Sequence, residues 1–490
     1  MDVFQTLANQ QTVIKTVDMH TSGEPTRIII SGFPDLKGST LLDKRRYASE
    51  NPEVDRVRKW LMFEPRGHPG MYGAILVKET ELTRSGEADI GVLFCHNEGY
   101  STMCGHATIA LGRFLIDTWD LDVFPQRPFL QQVTSSAGSS GPEARANENV
   151  TIIRLHVPCG VVTVSVPTPN RNTKPDLSKP VRFKSVPCFV PSTPSSSSSA
   201  QLPHTITVTV PRELAWPRLI AKHRSHIHDT EGPIQIHLNI SYGGAFYALV
   251  SSSELGFPSL RVRSTSEDSS TSSSSSPNSV LKELEESAQI LRVLLEQDPN
   301  ARKAFSSDRV DPDVRFLYGV TIVDSWESAV EEKPRQDEGK SSSYESEEVP
   351  DQNENENEKK IIWICFFGSP SSSSNLAPGG GSQIDRSPTG SCVSAHVPLA
   401  IQQHKLRMGE WCTYESFLSV QFPGNGFRGR AVERVPRWAG RIEGSVEEYE
   451  YIIEVEGYAY YTGSASFCVP EGWRDTMGGG FEVKLPSELV

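Results

Sequence analysis

Met103-Cys104-Gly105-His106-Ala107-Thr108 opens a run, Ile109-Ala110-Leu111-Gly112-Arg113-Phe114-Leu115-Ile116, that is apolar almost all round. Such a run predicts a helix buried on every face. A second phrase, Asp385-Arg386-Ser387-Pro388-Thr389-Gly390-Ser391, opens another, through Val393, Ala395, Val397, Leu399, Ala400 and Ile401. Each phrase sets a small polar side chain and then a glycine at a helix start, where free backbone N–H groups hold an anion. One phrase carries a thiol, Cys104, and the other a hydroxyl, Thr389.

Outward from these phrases, β patterns dominate. Residues 13–18, 26–31, 73–77, 88–94, 150–156, 161–166, 205–210, 234–240, 245–250, 316–323, 361–367, 417–422 and 451–455 read as strands. A third helix is expected over 279–297, with Ser279 as its cap and Pro299 limiting its end. The order strand, strand, motif, buried helix, further strands occurs twice. It predicts an α+β (α/β) fold of two halves, each a curved, mostly antiparallel sheet around a central helix. Sequence similarity between the halves is too faint to establish duplication.

The chain has 490 residues and a formal charge of −13. The acidic balance argues against nucleic acid and anionic membranes as partners. No segment reaches the roughly 20 apolar residues of a membrane span. The N-terminus lacks a secretory pattern, and the eight cysteines show no metal-ligand or disulfide spacing. Reduced cysteines in a cytoplasmic protein are expected. Low-complexity stretches at about 135–148, 192–200, 264–278, 336–358 and 369–381 read as disordered surface inserts.

Cys104 at a helix start is expected to have its thiolate stabilised by the helix dipole and free amides. Its alternative is a small buried residue. Asp385 either caps its helix or binds a substrate ammonium group. If the two helix starts face each other, their amides, the Asp385 carboxylate and the His106 imidazole suit a zwitterionic amino acid. No metal-ligand spacing, phosphate loop or dinucleotide fingerprint accompanies them, so catalysis without cofactor or metal is expected. His20, Glu24 and Arg27 form a polar cluster that either braces a turn or shapes the site; Glu64, Arg66 and His68 read alike. Cys95 and His96 are strand neighbours and point to opposite faces. Cys392, one turn into its helix, should point into the packing and not replace a base.

These phrases resemble the two signature motifs of the proline racemase family. The resemblance extends to Asp18-Met19-His20-Thr21-Ser22-Gly23-Glu24-Pro25-Thr26-Arg27, Glu64-Pro65-Arg66-Gly67-His68, Asn97-Glu98-Gly99-Tyr100, Leu317-Tyr318-Gly319 and Tyr461-Thr462-Gly463. It implies two diaminopimelate-epimerase-like domains with the site between them, and a homodimer. Residues 1–200 would form the domain with Cys104 and residues 201–474 the domain with Thr389, a tail of about 475–490 returning to the first. It implies Cys104 as a catalytic cysteine, and His106 and Asp385 as holders of the substrate nitrogen. The amides of Gly105, His106, Gly390 and Ser391 would hold the carboxylate.

Thr389 stands where the racemases have their second cysteine. A racemase needs an acid and a base on opposite faces of the α-carbon, and a threonine hydroxyl is a poor base. The Cys/Thr pair resembles the dehydratase branch of the family, which converts trans-3-hydroxy-L-proline to Δ1-pyrroline-2-carboxylate. There Cys104 would take the α-proton and the thiol so formed would help protonate the departing hydroxyl. A proline racemase or hydroxyproline 2-epimerase is the first alternative, and an inactive binding or scaffold protein the second.

Overall fold

The computed structural model describes residues 13–135, 148–170, 173–191, 205–226, 232–260, 277–324, 359–368, 383–436, 449–468 and 479–481. The five low-complexity inserts lie, apart from residues 135, 148, 277 and 278, outside the described residues. The described helices are α1 (Leu41–Glu50), α2 (Pro52–Met62), α3 (Glu81–Ser85), α4 (Gly105–Asp117), α5 (Pro217–His226), α6 (Pro277–Gln297), α7 (Pro299–Phe305) and α8 (Gly390–Gln402).

The strands repeat one topology twice. In the first half, Val13–Thr21 and Glu24–Ser31 form a hairpin, and Glu24–Ser31 runs parallel to Tyr72–Val77. Tyr72–Val77 is antiparallel to Ile90–His96, and the short Gly99–Ser101 leads into α4. Ile90–His96 then lies parallel to Glu148–Val157, followed by Gly160–Pro167 and Val181–Lys184. In the second half, Ile234–Tyr242 and Phe246–Ser251 form the hairpin, and Phe246–Ser251 runs parallel to Leu317–Val323. Lys359–Phe367 follows antiparallel, and the short Gln383–Asp385 leads into α8. Lys359–Phe367 lies parallel to Cys412–Ser416, followed by Phe427–Pro436 and Tyr449–Gly457. The halves join where their equivalent last strands, Val181–Lys184 and Tyr449–Gly457, pair antiparallel.

Each half also lends the other an edge strand. Thr205–Val210, which follows the first half, pairs with Ile234–Tyr242. Ala459–Cys468, which follows the second, pairs with Val13–Thr21. The chain thus returns to the first half ahead of residue 475. Phe481 adds a bridge to Glu64.

Both motif helices are enclosed by sheet. Ile109, Ala110, Leu111, Leu115 and Ile116 of α4, and Val393, Ala395, Val397 and Ala400 of α8, are buried. Burial of each large apolar side chain contributes about 1.5–3 kcal/mol, so neither helix needs an exposed polar face. Gly112 lets α4 approach Val164 and Val181, which a β-carbon there would meet at 2.7 and 2.8 Å.

Two local expectations are corrected. Residues 417–422 form no strand; Ser419–Gln421 is a single 3-10 turn. Ser416 and Ser419 exchange bonds there: the Ser416 N–H donates to Ser419 Oγ at 2.8 Å and the Ser419 N–H to Ser416 Oγ at 3.0 Å. Side-chain bonding to the backbone thereby displaces the sheet ladder. Helix α6 begins at Pro277, two residues before Ser279. Proline suits a first helical turn, where its missing N–H costs nothing.

Candidate active site

The starts of α4 and α8 touch. A β-carbon on Gly105 would lie 2.5 Å from the Gly390 Cα, and one on Gly390 2.9 Å from the Gly105 Cα. Only two glycines allow this approach, which brings the unpaired N–H groups of both first turns to one place. Cys104 and Thr389 occupy the two N-cap positions, and both are buried. Thr389 has φ +56°, an uncommon conformation for a β-branched residue and a form of strain found at functional sites. The Ser391 hydroxyl is fixed by Tyr247 Oη at 2.6 Å.

Asp385 is held from its own turn. Its Oδ1 accepts the Ser387 N–H at 2.8 Å and the Ser387 hydroxyl at 2.7 Å, while Ser387 Oγ accepts the Thr389 N–H at 3.1 Å. The Trp363 indole N–H donates to the Pro388 carbonyl at 3.0 Å, fixing the turn against the sheet. Burial raises the Asp385 carboxyl to about 6, against the lowering influence of the Ser387 and Thr389 hydroxyls. Thr389 Oγ1 comes near Asp385 yet makes no full hydrogen bond and is among the buried polar atoms without a partner.

His106 Nδ1 lies 3.9 Å from Asp385 Oδ2. Cys104 Sγ is 3.5 Å from His106 Nδ1 and 3.4 Å from Nε2. Near-equal distances put the sulfur over the ring face, not on one N–H line. Burial and the Arg386 charge lower His106 to about 3, and the facing Pro25 carbonyl counters this only in part. The imidazole is therefore neutral. Tyr72 packs edge-on against it, with ring centroids 4.7 Å apart.

The expected easy ionisation of Cys104 is corrected. Burial pushes the thiol well above its ordinary range, and the Asp385 carboxylate adds to this. The Ala107 N–H at the helix start opposes them, but desolvation is larger. Cys392 turns away as expected: it is fully buried, with Sγ 3.2 Å from Thr321 Oγ1.

The polar cluster of the first hairpin divides. Arg27 is structural, paired with Asp18 at 2.8 Å and donating to the Leu61 and Arg66 carbonyls. His20 stacks on Tyr460. Glu24 alone reaches the site, and its Oε2 accepts the Arg386 N–H at 2.7 Å. Arg66 stacks on Trp60, and His68 Nδ1 lies 2.9 Å from the Pro69 carbonyl, so neither joins the site. Cys95 enters a second apolar cluster, while His96 faces Tyr72, Phe367 and Tyr318. Tyr247 and Phe367, which pack beside Ser391 and Tyr72, carried no motif that marked them, whereas Tyr318 lay in the Leu317-Tyr318-Gly319 phrase.

The seven residues singled out from the two motifs thus come together at the opposed helix starts. A family model described as proline racemase matches residues 16–202. A trans-3-hydroxy-L-proline dehydratase of Homo sapiens is 33% identical over 474 residues, covering 96% of this chain and 95% of that protein. A trans-3-hydroxy-L-proline dehydratase of Colwellia psychrerythraea is 30% identical over 458 residues, covering 93% of this chain and 89% of that one. Among solved structures, a hydroxyproline epimerase from Agrobacterium vitis matches with a TM-score of 0.58 at 17% identity, over 97% of this chain and 96% of that one. At that identity it speaks for the fold alone. With whole-length relatives, one fold and both motifs in place, the chain belongs to the proline racemase family of enzymes.

Proposed function

We propose that the protein is a hydro-lyase that converts trans-3-hydroxy-L-proline to Δ1-pyrroline-2-carboxylate, with Cys104 as the base. One observation carries this reading: of the two N-cap residues that meet at Gly105 and Gly390, only Cys104 has a thiol, and the other is Thr389. The names of the whole-length relatives support it.

The amides of Gly105, His106, Gly390 and Ser391 bind the substrate carboxylate. Asp385 and neutral His106 hold the ring nitrogen. The cationic nitrogen also supplies the countercharge that Cys104 otherwise lacks, so binding favours its thiolate. In trans-3-hydroxy-L-proline the hydroxyl and the α-hydrogen share one ring face. One base on that face suffices for syn elimination. As the Cα–H bond breaks, negative charge spreads into the carboxylate, where the helix-start amides stabilise it. The C3–O bond breaks, water leaves, and the enamine tautomerises to the imine. Thr389 offers no base on the other face, so re-protonation there is suppressed.

The test is an assay of the proline and hydroxyproline isomers for imine and for inverted product. Imine from the trans-3-hydroxy-L isomer alone supports the reading, and racemisation of L-proline by the parent protein overturns it.

A further inference from the structure

We propose that Glu24 is the acid that protonates the departing hydroxyl, its buried Oε1 meeting the 3-hydroxyl of the substrate. The proposal rests on the dehydratase reading above and replaces the Cys104 thiol in that second duty.

Glu24 is fully buried at the first hairpin turn. The same hairpin grips the Cys104 motif, since the Thr21 hydroxyl donates to the His106 carbonyl at 3.0 Å. Glu24 itself grips the Thr389 motif. Its Oε2 accepts the Arg386 N–H at 2.7 Å, with Arg386 Nη1 at 3.5 Å. Oε1 has no partner. An orphaned buried carboxylate oxygen is costly. Thr389 Oγ1, beside Asp385, is a second buried orphan. Gln383 Oε1, on the strand of Asp385, and Tyr318 Oη also lack a partner. The unpartnered Glu24 Oε1 marks a place for a polar ligand group.

Two carboxyl groups in one buried site do not both ionise. Asp385 receives two hydrogen bonds from Ser387 and is the better anion. Burial and the Asp385 charge push Glu24 well above the usual carboxyl range, so the proton resides there. With Oε2 occupied as an acceptor, the acid proton sits on Oε1. In the step, Cys104 thiolate takes the α-proton, the Cα–H electrons form the ring double bond, and the C3–O bond breaks. The Glu24 proton joins the leaving oxygen as water. The Cys104 thiol then returns a proton to the Glu24 carboxylate, restoring the starting pair.

The test compares leaving groups in parent and Glu24→Gln proteins. With trans-3-hydroxy-L-proline the variant should lose ~10²- to 10⁴-fold in kcat, the range for a general acid. With trans-3-chloro-L-proline, whose chloride departs without a proton, most of that loss should disappear. Equal losses on both substrates would show a merely structural Glu24 and overturn the proposal. So would an undiminished rate on the hydroxy substrate, or failure of the parent to eliminate chloride. Failure of the parent to form imine from trans-3-hydroxy-L-proline would instead refute the dehydratase reading. If Glu24→Gln does not fold, Glu24→Asp carries the comparison, with a larger loss on the hydroxy than on the chloro substrate expected and an equal loss overturning.

Discussion

Gly105 and Gly390 meet backbone to backbone: a β-carbon on either would stand within 2.9 Å of the other's Cα. No side-chain rearrangement relieves such a contact. Alanine at either position should separate the helix starts, lower activity at least ~10²-fold, as misplacement by about an ångström does, and cost about 1–3 kcal/mol of stability through overpacking. Urea titration and imine formation measure the two effects together. An active, stable Gly390→Ala protein would contradict the contact.

Cys104→Ser removes the proposed base and little else. The side chain is small and makes no cap bond to its own helix. Imine formation should fall by ~10²- to 10⁴-fold, while the thermal midpoint shifts by only a few degrees. A variant with near-parent activity would show that another group takes the α-proton.

Burying Asp385 has a cost that depends on pH. Its folded carboxyl stands at about 6 against a usual 3.8. The protonated form is favoured by folding, so that contribution is complete below the unfolded value and is lost as pH rises through about 6. Asp385→Asn keeps an acceptor for Ser387 and cannot ionise. It should be inactive but more stable than the parent at pH 8, by about 3 kcal/mol. That advantage should shrink as pH falls from 8 to 5. Denaturant midpoints across this range check it, and a constant advantage would contradict the assignment.

The same values set the activity profile. Loss of the Asp385 charge should bring kcat/KM down below pH about 6. His106, lowered to about 3, should remain neutral. Its ring proton resonances should not titrate between pH 5 and 8, and a His106 titration in that range would contradict a neutral imidazole.

The site was legible because both motifs are contiguous and open helices whose apolar runs are unambiguous. The paired halves were legible as an order of elements, but the exchange of edge strands was not. Ala459–Cys468 is largely exposed along its length, so no core-facing alternation marks it. Helices α1 and α2 are polar on much of their surface, and their signals are local. The Thr40 hydroxyl accepts the Asp43 N–H at 3.0 Å while Asp43 bonds back to Thr40, and Asn51 caps a helix that starts with Pro52. The expected strand at 417–422 yielded to the reciprocal Ser416 and Ser419 bonds. The ionisation of Cys104 was misread because a helix start was weighed without its burial. Glu24 was visible only as one of a cluster, since contact with Arg386 across 362 positions leaves no trace in spacing.

Thr389 is the residue on which the account turns. Thr389→Cys should place a thiol on the silent face and yield some inversion at the α-carbon. The direct measurement is the parent protein in deuterated water, with trans-3-hydroxy-L-proline in one reaction and L-proline in another. The account predicts Δ1-pyrroline-2-carboxylate from the first and no D-proline from the second. Deuterated D-proline formed by the parent would contradict it.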